Sequence, residues 1–177
     1  MDCGPDVVRR AAEAGLKMEQ LTRVFVTHLH SDHTAGYPDL ILTPPNSGRS
    51  ERLQALRPAR PARHGGPRAA IRLHGTQPVA KRGFVVEAHD VKPGQVYRDA
   101  GMRVMAFAVE HGAWKYAYGY RFDAPDKSIA ISGDTTYSRS LIQAAKGCDI
   151  LVHEVFREGP QESHAGVAAV PRQTPAA

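Results

Sequence analysis

At 177 residues the chain is long enough for one domain with a real core and short for two. Its 42% apolar content fits a globular protein, and no apolar run reaches the roughly 18–20 residues of a membrane span. The net charge of +5 is local, because Ser47–Arg72 holds seven arginines against one acid while the remainder is close to neutral. The start, "MDCGPDVVRRAAEAG", lacks the basic-then-apolar pattern of a signal peptide. Two cysteines, Cys3 and Cys148, are too few for a disulfide scaffold and read as reduced thiols of a cytoplasmic protein with no membrane association.

In chain order, an α/β rhythm emerges. Pro5–Ala14 reads as a helix, with proline at an early position and Gly15 after its end. "RVFVT" (23–27) is a short buried strand that runs into "HLHSDH". "TAGYPDLIL" (34–42) is a helix, with Pro38 tolerable only near its start. "AIRLHG" (70–75) and "FVVEAHDV" (84–91) are strand-like, and "VKPGQVYRDAG" has turn chemistry and at most a short strand. "MRVMAFAVEH" (102–111) alternates, and "KYAYGYRF" (115–122) is its expected antiparallel partner. "SIAISGDT" (128–135) is a strand ending in an acid. "SRSLIQAAKG" (138–147) is a helix with a serine cap and a terminal glycine, and "CDILVHEV" (148–155) is a last buried strand.

Two stretches break the rhythm. In 55–70, 14 of 16 residues are Ala, Arg, Pro or Gly, so 47–70 reads as an irregular insert. The tail, 157–177, has no sustained periodicity and is expected to be disordered.

The chemistry concentrates in "VTHLHSDHTAG" (26–36). Residues two apart in extended chain point the same way, so His28 and His30 can converge on one point. A turn after them lets Asp32 and His33 face a second point nearby. Imidazole nitrogen and carboxylate oxygen are preferred zinc ligands, with iron or manganese as second choices. His111, at the end of an apolar strand, and Asp134, in "ISGDTT", supply further donors, enough for two metals.

"HLHSDH", then a histidine at a strand end, then "SGDT", resembles the metallo-β-lactamase superfamily. The opening "DCG" matches that family's strand-end turn before the first helix. "EHGAWKYAYGYRF", "ISGDTT" and "LVHEV" most resemble its ribonuclease Z and arylsulfatase-like branch. The resemblance spans roughly 1–46 and 71–156. It implies an αββα sandwich over a hydrolase domain at 1–156, with the first strands and the last helix and strand missing. It gives His28, His30 and His111 to a first zinc and Asp32 and His33 to a second, with Asp134 bridging. Such a site acidifies a shared water so that hydroxide attacks a phosphodiester, sulfate or related ester. Asp32 would orient that water or take its proton. His153 and Glu154 match the family's His-Glu pair, for proton transfer or for positioning the ligands.

The expected substrate is a small-molecule ester or RNA. The family's last metal-ligand histidine has no counterpart after Glu154, so the second site is expected to be incomplete. Uncovered strand edges favour association, a homodimer included. The codons of Ala, Arg, Pro and Gly are rich in G and C, so a shifted reading frame in a GC-rich gene would give 47–70 and the tail. Alternative functions are a lactone or β-lactam hydrolase on the same scaffold, a poorly active remnant, and an RNA-binding protein using the arginine block. The block's lack of aromatic residues for base stacking disfavours the last.

Overall fold

A computed structural model describes residues 1–59 and 81–154. The strand expected at 70–75, the later part of the arginine block and the tail lie outside the described residues. The chain divides into two compact units, Met1–Lys92 and the part from Pro93 onward.

In the first unit, α1 (Val7–Glu13) forms where the sequence predicts a helix. Its exposed face carries Arg9, which reaches Asp6 at 2.8 Å and Glu13 at 2.7 Å. Such solvated pairs add a few tenths of a kcal/mol at most. Three parallel strands follow in the order β1 (Arg23–Phe25), β2 (Leu53–Pro58) and β3 (Val86–Val91). Their alternation puts Val24, Leu53 and Ala55 into one core with Cys3, Val8, Val26, Leu40 and Ile41. The short helix α2 (Ser31–Thr34) and α3 (Tyr37–Asn46) connect β1 to β2.

Strand β2 corrects the expectation of an irregular insert beginning at Ser47. It is the central strand of its sheet, paired on both sides. The arginines in and beside it meet acids of β3. Arg52 pairs with Glu87, and Arg57 meets Asp90, its opposite number in the register, at 2.9 Å. A shifted frame does not place alternating apolar residues in a core and acids opposite arginines, so that account fails for 47–59.

The same stretch holds the most buried charge among the described residues. Helix α3 runs through Pro44 and Pro45, past the end expected at Leu42. Two prolines supply no amide hydrogens, so the carbonyls of Leu40 and Ile41 lose their i+4 donors. Arg49 replaces them. Its Nη1 donates to Leu40 O at 3.0 Å and its Nη2 to Ile41 O at 3.2 Å. The guanidinium also donates to Leu21 O at 2.9 Å and to Gly83 O at 2.8 Å. Burial lowers its pKa, but an arginine remains charged, and carbonyls at the negative end of a helix dipole suit a cation.

The second unit is a five-stranded sheet in the order β4 (Gly94–Arg98), β5 (Arg103–Ala108), β6 (Tyr118–Asp123), β7 (Ser128–Ile131) and β8 (Ile150–Val152). Strands β4 to β7 are antiparallel neighbours. Strand β8 returns parallel to β7 through helix α4 (Arg139–Ala144), whose cap Ser138 accepts from the Leu141 amide at 3.3 Å. Val104, Ala106, Tyr120, Ala130 and Leu141 are buried. Among the described residues, no helix is long and apolar enough to cross a membrane.

Candidate metal centre

In the first unit, the apolar end of β1 delivers a buried run, Val24 to His28, to the strand's carboxyl end. His28 is fully buried. His30 follows in extended conformation, and helix α2 then turns Asp32 and His33 back toward it. The three imidazoles lie close together. His28 Nε2 lies 2.9 Å from His30 Nδ1. The ring of His28 is centred 4.5 Å from that of His30 and 4.1 Å from that of His33. Asp32 stands at the rim, with a side chain 71% exposed and its Oδ2 3.5 Å from His33 Nε2.

Asp2 organises this cluster, and the sequence reading gave it no role beyond the opening turn. Its Oδ1 accepts the Thr27 amide at 2.7 Å. Its Oδ2 accepts the Thr27 hydroxyl at 3.0 Å and lies 3.0 Å from His33 Nδ1. A carboxylate there fixes the His33 proton on Nδ1 and leaves Nε2 as the basic nitrogen, the arrangement that prepares a histidine for a metal. The backbone brings these partners together by close approach. Gly36 N donates to Cys3 O at 2.7 Å, and a Cβ on Gly36 would sit 2.2 Å from Gly4 O. Only glycine fits.

Asp2→Ala is expected to weaken zinc affinity by about 10–100-fold, because the ring of His33 loses its orienting partner. Titration of the purified variant against a competing chelator checks this, and parental affinity would show that Asp2 serves the backbone alone.

In the second unit, the carbonyl of Glu110 ties two loops together. It accepts the Thr136 amide at 2.8 Å, and the hydroxyls of Thr135 and Thr136 at 3.2 Å each. His111, buried, is the next residue and forms an antiparallel bridge with Trp114. Asp134 immediately precedes the threonines. Strand β7 ends at Ile131, earlier than expected, because Gly133 turns the chain at φ 63°, a region closed to most side chains. The acid therefore sits on a pinned loop rather than on a strand.

His153 and Glu154 lie just past β8 and lace this loop. Glu154 Oε1 accepts the Thr135 amide at 2.6 Å, and the Glu154 amide donates to Ser132 Oγ at 3.3 Å. His153 Nδ1 lies 3.0 Å from the same hydroxyl. Burial lowers the His153 pKa, against an opposing pull from Glu154.

The family described as "Beta-lactamase superfamily domain" matches residues 1–176. The chain belongs to this family. Beta-lactamase superfamily relatives include the protein named Ribonuclease Z of Mycobacterium bovis, 30% identical over 175 residues. That match covers 89% of this chain and 60% of the relative, so the chain spans about three fifths of its length. Two superfamily structures show the fold. The metallo-beta-lactamase fold protein YhfI from Bacillus subtilis has a TM-score of 0.67 at 19% identity, covering 93% of this chain and 64% of that one. Human tRNase Z, short form, has a TM-score of 0.66 at 19% identity, with 94% and 72% covered. The α/β fold class and the family expected from the motifs are both borne out.

Proposed function

We propose that residues 1–156 act as one metal-dependent hydrolase domain of ribonuclease Z type, cleaving phosphodiesters of RNA. In this reading His28, His30 and His111 would hold a first zinc and Asp32 and His33 a second, with Asp134 as a ligand shared by both. The observation that carries it is the gathering of His28, His30 and His33 at the end of β1, with Asp2 against His33 Nδ1. Three clustered imidazoles and a rim carboxylate are the donor chemistry zinc prefers, so the residues fit the metal. The naming of relatives as Ribonuclease Z supports the substrate class.

When bound, a zinc pair supplies an acidified water as the nucleophile near neutral pH. The chain's residues do the rest. Asp2 and Thr27 orient His33 and His28. Asp32, exposed at the rim, orients the attacking water and accepts its proton. Glu154 holds the loop of Asp134 through the Thr135 amide, and His153, against Ser132 Oγ, supports the same loop as a positioning residue.

The test is a substrate panel with and without chelator: bis(p-nitrophenyl) phosphate, an aryl sulfate, a lactone and nitrocefin. We expect zinc-dependent hydrolysis of the phosphodiester foremost. Purified protein without any bound transition metal after metal-supplemented expression would overturn the assignment. Hydrolysis of nitrocefin or the lactone alone would move the chain to that chemistry.

A further inference from the structure

We propose that Trp114, Tyr116 and Tyr137 form a stacking platform for unpaired bases of single-stranded RNA, a substrate subsite that rests on the ribonuclease reading above. All three are large and aromatic, and all three face solvent. Trp114 is 38% exposed, Tyr116 36% and Tyr137 70%. Other aromatics of the same sheet behave differently, since Tyr118 and Tyr120 are buried in β6. Single exposed aromatics are ordinary, but these three come from two loops fastened to one point. The Glu110 carbonyl pins Thr136, next to Tyr137, while His111, next to Glu110, bridges to Trp114. The aromatics therefore border the two loops that carry His111 and Asp134.

Charge selects the occupant. Exposed Lys115 lies between Trp114 and Tyr116, and exposed Arg139 lies two residues after Tyr137, while the acids of the two loops, Glu110 and Asp134, stand at least three residues along the chain from any of the rings. Aromatic faces interleaved with cations suit a single-stranded nucleic acid, whose bases stack while its phosphates meet the ammonium and guanidinium groups. A duplex keeps its base faces covered, so unpaired RNA is the match.

The experiment uses the full chain in EDTA, so that binding is read without hydrolysis, and a fluorescein-labelled oligouridylate of about ten nucleotides. Trp114 is the only tryptophan of the chain, so its fluorescence reports on the platform directly. RNA is expected to quench it, and a hairpin duplex of equal length to do so less. Tyr137→Ala should weaken binding about tenfold, the effect of losing one stacked base, and Tyr137→Phe should restore it. Equal affinity of the parent and Tyr137→Ala, or no quenching, overturns the proposal. So does a parental dimer that Tyr137→Ala renders monomeric with RNA affinity unchanged, which would make the patch an interface between copies. Phosphodiesterase activity of the parent is measured separately. A parent without it whose RNA affinity still follows Tyr137 keeps the platform and loses the hydrolase. A parent with it whose affinity ignores Tyr137 loses the platform alone.

Discussion

Asp32→Ala, loaded with zinc, is expected to hydrolyse bis(p-nitrophenyl) phosphate about 100-fold more slowly than the parent, close to the metal-free background. The substitution is informative because Asp32 contributes little to folding. Its side chain is 71% exposed, with its carboxylate 3.5 Å from His33 Nε2. Surface changes of that kind leave stability within about 0.5 kcal/mol. Lost turnover in a chain that melts like the parent therefore reports on chemistry. His28→Ala should also abolish turnover, but His28 is fully buried, so that variant mixes loss of a ligand with loss of packing. Parental turnover in Asp32→Ala would remove this residue from the site.

The second large effect concerns stability. Arg49→Met removes the donor to four carbonyls, those of Leu21, Leu40, Ile41 and Gly83. A buried acceptor left without a partner costs about 1–3 kcal/mol, so the expected loss is about 3–5 kcal/mol after partial rearrangement. That is much of the stability of an ordinary domain, about 5–15 kcal/mol. Urea unfolding measures it, and a second substitution tests the cause. Pro44→Ala gives the helix back the amide that Leu40 O lacks. It should stabilise Arg49→Met while doing nothing comparable in the parent, with a coupling of about 1 kcal/mol or more in a double-mutant cycle. Additive effects would mean that Arg49 does not stand in for the missing helix amides.

That arginine also shows where the sequence stops being readable. The histidine cluster was legible because it depends on local rules: an apolar strand, a two-residue alternation and a tight turn. The pairing of β5 with β6 was legible for the same reason. Strand β2 was not, since arginine and proline masked the alternation of Leu53 and Ala55, and only the acids of β3 explain its charged positions. Nor was the extension of α3 through two prolines, because its missing donors arrive from Arg49, outside the helix. Asp2 was seen as part of a turn, but its work on Thr27 and His33 is done across 25 and 31 residues. Asp134 was legible as a candidate donor. Its setting was not, because the loop is fixed by the Glu110 carbonyl and the Glu154 carboxylate, neither adjacent in sequence.

The two sheets also differ in how far apart in the chain their partners lie. Arg23 pairs with Gln54 and Leu53 with Val86, separations of 31 and 33 residues. In the other sheet, Arg98 pairs with Arg103 and Asp123 with Ser128, five residues apart in each case. Loop-closure entropy rises as the logarithm of loop length, so each parallel pairing of the first sheet costs about 1.6 kcal/mol more to close than either of these five-residue closures. Contacts of long sequence separation form late. The order of events that follows is hairpins first and the parallel strands afterwards, so the histidines at the end of β1 are among the last groups a refolding chain brings together.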